Sequence, residues 1–94
     1  MGKTPCRNII GPACVKLREQ QGYTQEQLSA RCTVAGLILT RGSYSKIESQ
    51  KRQVTDYEIL QLAKIFRVEI TELLPSSTKI PSWVKHRKKR NNEE

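Results

Sequence analysis

The chain has 94 residues, of which 36% are hydrophobic and 28% are charged. This length predicts one domain with a single small core, and it leaves little room for a deep substrate pocket. No apolar run approaches the roughly 20 residues that span a bilayer, and the N-terminus lacks a secretory pattern, so we expect a cytoplasmic protein that does not enter a membrane.

The charge balance is strongly basic. Seventeen Lys and Arg residues stand against nine Asp and Glu residues, which gives a net charge of +8. Such an excess attracts polyanions, meaning nucleic acid or an anionic membrane surface. Residues 1–78 carry eleven basic and seven acidic side chains, and residues 79–94 carry six and two. The surplus is therefore +4 in each part, and both parts are candidates for contact with a partner.

The first predicted helix covers residues 10–21. Residues 1–8 show no periodic pattern, so we interpret them as a flexible arm. Apolar residues then recur at the i, i+4, i+7 spacing of one helix face, at Ile10, Cys14 and Leu17. Pro12 lies in the first turn, where its missing N–H has no cost, and Gly22 is suited to end the helix.

The second predicted helix begins after Thr24. Gln27 follows three residues later, which is the spacing of a capping box. Leu28 is its first apolar residue, and Gly36 is placed to end it. The next three residues, Leu37-Ile38-Leu39, are too few for a helix. We predict that they form an apolar connector that packs into the core.

The third predicted helix covers about residues 41–50, with Thr40 as its N-cap. Its apolar pair is Tyr44 and Ile47. Slender polar and basic side chains make up its other face: Arg41, Ser43, Ser45, Lys46 and Ser49. Gly42 in the first turn costs about 1 kcal/mol relative to alanine, but it leaves a low surface that suits close approach to another molecule.

The remaining pattern predicts two more helices and a tail. Thr55 and Glu58 form a second capping box. The apolar spacing behind it is the most regular in the chain, at Ile59, Leu62, Ala63 and Phe66. A short fifth helix over 70–74 is expected to end before Pro75. Residues 75–94 are interpreted as a linker and basic tail. Since no segment alternates with period two, the predicted fold class is all-α.

The residues that usually carry chemistry are few. Three cysteines, Cys6, Cys14 and Cys32, lack metal-binding spacing, and the single histidine, His86, lies in the tail. We expect Cys14 and Cys32 to be buried apolar side chains, with a metal or redox role as the alternative. No Ser-His-Asp or Cys-His arrangement is available. We therefore expect no enzyme activity, no catalytic residue, no metal, no cofactor and no small-molecule effector.

Three motifs carry a family resemblance. They are Gly22-Tyr23-Thr24-Gln25-Glu26-Gln27-Leu28, Ser45-Lys46-Ile47-Glu48 and Leu62-Ala63-Lys64-Ile65-Phe66-Arg67-Val68. Through them, residues 10–74 resemble the phage repressor-like (Cro/cI, Xre) helix-turn-helix family. The resemblance implies a compact five-helix, lambda repressor-like DNA-binding domain over 9–74. It also implies a sequence-specific transcriptional regulator, a repressor or autoregulator, that binds double-stranded DNA as a homodimer on two half-sites.

The resemblance also assigns residues to the DNA. The implied DNA-binding set is Gln25, Arg41, Gly42, Ser43, Ser45, Lys46, Lys51 and Arg52. Arg41 either pairs with a guanine or is a solvated surface residue, and Gln25 either grips a phosphate or only serves the helix cap. For Ser43 and for Ser45, DNA contact and plain solvation are both open. Arg18 and Glu48 are implied to form a structural ion pair that fixes the recognition helix.

Two features depart from the family pattern. The stretch from Cys32 to Thr40 is longer than the compact family turn, so either helix 2 is extended or a loop forms around Gly36. The chain also looks similar to a subgroup of the family in which this turn is longer. Arg67 stands where the family usually has glycine, and a left-handed conformation there would cost about 1 kcal/mol.

The tail and the function class leave alternatives open. The run Lys85–Arg90 is either a solvated segment or an arm that adds phosphate contacts. Candidate dimer residues are Leu73, Leu74, Ile80 and Trp83. The alternative to a DNA-binding regulator is a protein-interaction module, such as an antitoxin or an accessory subunit, with only weak DNA binding.

Overall fold

The computed structural model describes residues 6–75, and this part of the chain folds as helices without a strand. Its elements are α1 (Gly11–Gln20), α2 (Gln25–Val34), α3 (Arg41–Glu48), α4 (Asp56–Phe66) and a 3-10 turn (Ile70–Glu72). The all-α prediction is confirmed. None of these helices is both long enough and apolar enough to cross a membrane. Residues 76–94 of the predicted linker and tail, including His86, Ile80 and Trp83, lie outside the described residues.

Threonine caps begin three of the four helices, as the sequence predicts. The Thr24 side chain accepts a hydrogen bond from the Gln27 backbone N–H at 3.0 Å, and the Thr24 N–H donates to the Gln27 side chain at 2.9 Å. Thr55 and Glu58 repeat this capping box at α4. Thr40 caps α3 through the Ser43 N–H. These bonds fix where α2 and α3 begin, and hence where their N-terminal N–H groups lie.

Each helix is followed, one or two residues after its last residue, by a residue in the left-handed conformation. The four residues are Gly22 (φ 79°), Gly36 (φ 96°), Gln50 (φ 64°) and Arg67 (φ 62°). In every case the next N–H donates to a carbonyl five residues earlier, for example Tyr23 to Arg18 at 3.1 Å. This is the hydrogen-bond pattern of a Schellman motif. Glycine adopts it without strain, whereas Gln50 and Arg67 each carry a cost of about 1 kcal/mol.

One hydrophobic core joins the elements, with α3 packed on α1 and α2, and α4 packed on α2 and the 3-10 turn. Its buried residues are Ile10, Cys14, Leu17, Leu28, Cys32, Leu37, Leu39, Tyr44, Ile47, Leu62, Ala63, Phe66 and Leu73. Burial raises the pKa of the Cys14 thiol to about 12 and that of the Cys32 thiol to about 11. Both are therefore protonated apolar side chains, as predicted.

The longer connection between α2 and α3 is a loop, not an extension of α2. The helix ends at Val34, Gly36 turns the chain, and residues 37–40 run on without helical structure. Leu37 and Leu39 are buried, but Ile38 between them is 74% exposed. The prediction that this segment packs into the core is therefore correct for the two leucines and wrong for Ile38, because successive side chains of the segment point to opposite sides.

Two predicted boundaries change. The fifth helix is a single 3-10 turn, because only three residues separate its Glu69 cap from Leu73, and the following Pro75 disfavours helical geometry at Leu74. The prediction that a flexible arm extends through residue 8 is wrong at Asn8, which is buried in the domain. Leu73 is fully buried as well, so it is not available as a dimer contact, whereas Leu74 is 39% exposed.

Candidate nucleic-acid interface

Helix α3 has one buried and one exposed face. Tyr44, Ile47 and Glu48 are buried. A helix turns by about 100° per residue, so Gly42 and Lys46 lie on the side opposite Tyr44, and both are exposed. Arg41 is exposed at the first helical position. The outward face is thus short, polar and basic, and it is open near its N-terminus.

The carboxylate of Glu48 fixes the orientation of α3. Arg18 on α1 donates from Nε to Oε2 at 2.6 Å and from Nη2 to Oε1 at 3.2 Å. Gln25, the first residue of α2, donates from Nε2 to Oε1 at 2.8 Å. Arg18 also donates to the Tyr23 carbonyl oxygen at 2.9 Å. One carboxylate therefore ties α3 to both α1 and the N-terminus of α2, and it sets the angle between the exposed surfaces of α2 and α3.

This cluster keeps Glu48 ionised. Burial acts to raise its pKa, but the hydrogen bonds that Arg18 and Gln25 donate outweigh that effect, and the pKa lies below its usual value of 4.5. The hydrogen bond to Glu48 raises the pKa of Arg18 further. Burial and the nearby carboxylate raise the pKa of Tyr44. The Tyr44 hydroxyl makes no hydrogen bond of good geometry within residues 6–75. Arg18 is the principal partner of the carboxylate, because it donates two hydrogen bonds and carries the opposite charge.

Gln25 has two roles open to it. Its side chain is half-buried and lies at the N-terminus of α2. The bond to Glu48 uses one N–H of its amide group, and an amide carries two. The backbone N–H groups of the first helical turn have no partner within the helix, and they point out of its N-terminal end. Glu48 therefore holds Gln25 at a place where helices favour anions.

The basic residues of the predicted set divide into two groups. Arg41, Lys46 and Lys51 are exposed. Arg52 instead donates two hydrogen bonds of 3.2 Å to Glu58 and is half-buried. Burial acts to raise the pKa of Glu58, but Arg52 and the Thr55 N–H outweigh it and lower the pKa overall. The structure thus places Arg52 in the cap of α4, apart from the three exposed cations.

The small residues of α3 differ in what they leave exposed. Ser43 belongs to the helix cap, because its hydroxyl accepts a bond of 3.2 Å from the Thr40 hydroxyl. Ser45 is half-buried one turn from Arg41. At Gly42, an added Cβ would meet only the Thr40 Oγ1 atom, at 3.9 Å. The surface above Gly42 is therefore open to another molecule.

Two residues near the interface escaped the sequence analysis. Asn8 donates from Nδ2 to the carbonyl oxygens of Ile47 at 3.0 Å and Arg52 at 2.8 Å, and its Oδ1 accepts from the start of α1. The Arg7 N–H donates to the Gln50 carbonyl oxygen at 2.9 Å. This bond places the exposed residue Arg7 beside Gln50, which precedes Lys51 in the sequence. The local feature that could have indicated these contacts was an asparagine shortly before a predicted helix.

Comparisons with known proteins point to one family. The sequence profile of the helix-turn-helix family matches residues 16–73, which is more than half of the chain. The match covers all of α2, α3 and α4, together with the ion-pair residues. No curated protein and no solved structure matches the chain. Within residues 6–75, no group of three or more His, Cys, Asp or Glu side chains is placed to hold a metal ion.

Proposed function

Because the chain belongs to the phage repressor-like (Cro/cI, Xre) helix-turn-helix family of DNA-binding domains, we propose that it is a sequence-specific transcriptional regulator with α3 as its recognition helix. One observation carries the proposal. Helix α3 is anchored through Glu48 to both α1 and α2, while Arg41, Gly42 and Lys46 are exposed. A basic helix with one anchored and one open face fits the DNA major groove.

In this proposal Arg41 carries the main base contact. An exposed arginine at the first position of a groove-bound helix reaches a guanine, whose O6 and N7 atoms accept two hydrogen bonds. Such a pair contributes about 1–3 kcal/mol of discrimination against other bases. Gly42 permits close approach, because no side chain covers the backbone there. Lys46 and Ser45 lie one turn further along and extend the contact area.

The phosphate contacts flank the recognition helix. Gln25 and the N-terminal N–H groups of α2 bind one phosphate, since the helix dipole favours an anion there. Lys51 in the loop after α3 binds another, and Arg7 beside it is a further candidate. Arg52 contributes less, because its guanidinium is already paired with Glu58. Ser43 stays with the cap of α3.

The regulator acts by occupying its operator as a homodimer in the cytoplasm, on the nucleoid. Two copies on half-sites one helical turn apart place their recognition helices about 34 Å apart. Leu74 is the described candidate for the dimer surface, since it is partly exposed after the last turn. Ile80 and Trp83 are further candidates from the sequence. Occupation of a promoter site blocks transcription without cofactor or chemistry, which makes repression the proposed outcome.

Selection of duplexes from a random pool tests this proposal. The full chain should enrich a motif with two related half-sites, and it should bind that duplex at least about 10³-fold more tightly than unrelated DNA at physiological salt. A chain with Glu48→Ala provides the control, because it keeps the surface cations but loses the anchor of α3. It should therefore bind DNA without preference for the selected duplex. If no sequence is enriched and binding is weak, the operator account is wrong and the protein-interaction alternative replaces it.

A further inference from the structure

Two adjoining cavities open on the surface beside the C-terminal halves of α2 and α4. One cavity of about 390 Å³ opens beside Val34 and Ala35, and a second of about 390 Å³ opens toward Tyr23. Arg31, Ile65 and Arg67 line both cavities. We call this surface the α2–α4 groove and define it by six residues: Arg31, Val34, Ala35, Lys64, Ile65 and Arg67.

The groove combines an apolar floor with a basic rim. Val34 is 89% exposed, Ala35 is exposed and Ile65 is half-buried, so a strip of aliphatic surface faces solvent. Arg31, Lys64 and Arg67 surround that strip. None of the residues that line the cavities is acidic. An aliphatic strip flanked by three cations is complementary to a segment that carries acidic side chains beside an apolar face.

The structure holds the side chain of one rim cation in place and fixes the backbone of another. The guanidinium of Arg31 lies 4.8 Å from the ring centroid of Tyr23, which is a cation–π contact. Arg67 adopts the left-handed conformation that ends α4, at φ 62°. Glycine would adopt it with less strain, and arginine there brings a positive charge to the edge of the groove. Residues kept in a strained conformation are often functional.

We propose that the α2–α4 groove binds an acidic amphipathic helix of a partner protein. The apolar side of such a helix covers Val34, Ala35 and Ile65, and its carboxylates pair with the three cations. Helices that lie in grooves use apolar anchors spaced three and four residues apart, which suits a floor made by two helices. Opposite charge at the rim steers the encounter and excludes basic partners.

Charge also argues against the other occupants. Residues 79–94 of this chain carry six basic and two acidic side chains, so the basic rim repels that segment. A second copy that met this groove with its own groove would bring three more cations. Duplex DNA would satisfy the rim, but its phosphates would leave the apolar floor without a partner. An acidic segment with one apolar face satisfies both parts of the groove.

The groove is separate from the proposed DNA-binding surface. Val34 lies nine residues after Gln25 on α2, which is about 13 Å along the helix axis. The N-terminus of α2 faces the proposed phosphate contact, and its C-terminus faces the groove. Both surfaces are thus available at the same time, and the inference does not depend on DNA binding.

Titration of the intact ¹⁵N-labelled chain with synthetic helical peptides tests the proposal. The probe is an amphipathic peptide of about four turns with leucine on one face and glutamate on the other, and its matched control has lysine in place of glutamate. The glutamate peptide should shift the backbone amide signals of the groove residues. Val34→Glu and Arg31→Glu should each weaken its binding at least fivefold. Lys16→Glu, at an exposed lysine of α1 outside the groove, should change it less than twofold.

The outcomes separate the occupants. Val34 is almost fully exposed, so Val34→Glu should fold even if Arg31→Glu does not, and thermal unfolding checks both. Equal binding of the lysine peptide, or no shift of groove signals at millimolar glutamate peptide, would overturn the proposal. So would a result in which duplex DNA shifts the groove signals and Arg31→Glu lowers duplex affinity fivefold, because the groove would then be a DNA surface. Loss of DNA binding in an Arg41 variant would leave this test unaffected.

Discussion

A Cβ atom at Gly11 would lie only 2.6 Å from the backbone carbonyl oxygen of Glu48. The first turn of α1 therefore rests directly on the last turn of α3, at a distance that only glycine allows. The Ile47 carbonyl oxygen is nearly as close, at 2.7 Å. Together with the Arg18–Glu48 ion pair, this contact fixes the position of α3 on α1.

Gly11→Ala should destabilise the fold. The new methyl group would clash with backbone atoms that cannot rotate away, so α1 and α3 must separate, and we expect a loss of about 1–3 kcal/mol in the free energy of unfolding. Chemical denaturation measures it. Gly42→Ala is the matched control, because its Cβ meets open space and alanine favours the helix, so this variant should gain up to about 1 kcal/mol. Equal stability of the two variants would contradict the close packing of α1 on α3.

The ionised Glu48 should make stability depend on pH. Its pKa in the folded protein is lower than the usual 4.5, so its contribution is present above that value and is lost as pH falls through the folded pKa. Glu48→Gln should cost about 3 kcal/mol at pH 7, because Arg18 loses its partner. The variant should also lose less stability than the parent between pH 5 and pH 3. Glu19→Gln on the exposed side of α1 should keep the parent stability at pH 7, and thermal unfolding across pH checks all three proteins. A Glu48→Gln chain with the parent's pH slope would show that the carboxylate is not linked to folding.

The left-handed helix ends give a pair of opposite predictions. Arg67→Gly should stabilise the chain by up to about 1 kcal/mol, because glycine adopts φ 62° without strain. Gly36→Ala should destabilise it by about 1 kcal/mol for the same reason at φ 96°. Denaturation midpoints measure both. If the two substitutions shift stability in the same direction, backbone strain is not what distinguishes these positions.

Local patterns explain why the helices and their caps were predictable. A threonine and its partner three residues later determine a capping box by themselves. Gly22 and Gly36 end helices because glycine adopts a positive φ without strain. The pattern of buried residues in α4 follows from its helical period. The Arg18–Glu48 pair was implied by resemblance and is present in the structure at 2.6 Å.

Contacts between distant segments explain what the sequence did not indicate. Asn8 is buried only because Ile47 and Arg52, about 40 residues later, present carbonyl oxygens to it. Arg52 was assigned to the DNA by the family resemblance, and its pairing with Glu58 depends on how the loop before α4 turns. The α2–α4 groove likewise needs two helices in contact. The periodicity of a single segment does not indicate how two distant segments pack against each other.

The basic tail should add phosphate contacts to the complex with DNA. A chain ending at Thr78 keeps every described residue and loses six basic side chains, Lys79 among them. We expect its DNA affinity to fall and the slope of log K against log salt to decrease by several units, up to about 5. Fluorescence anisotropy with a labelled duplex measures both. Preference among sequences should not change. An unchanged slope would mean that the tail is solvated in the complex.

The central claim, that α3 recognises the DNA bases through Arg41, is tested most directly by comparing Arg41→Ala with Lys51→Ala on the selected duplex and on single-base variants of it. We predict that Arg41→Ala lowers affinity for the selected site by about 10- to 100-fold and abolishes preference at one base pair. Lys51→Ala should weaken all duplexes alike and reduce the salt slope by about 1. If Arg41→Ala leaves the preference at every base pair intact, α3 is not the recognition helix and the account is wrong.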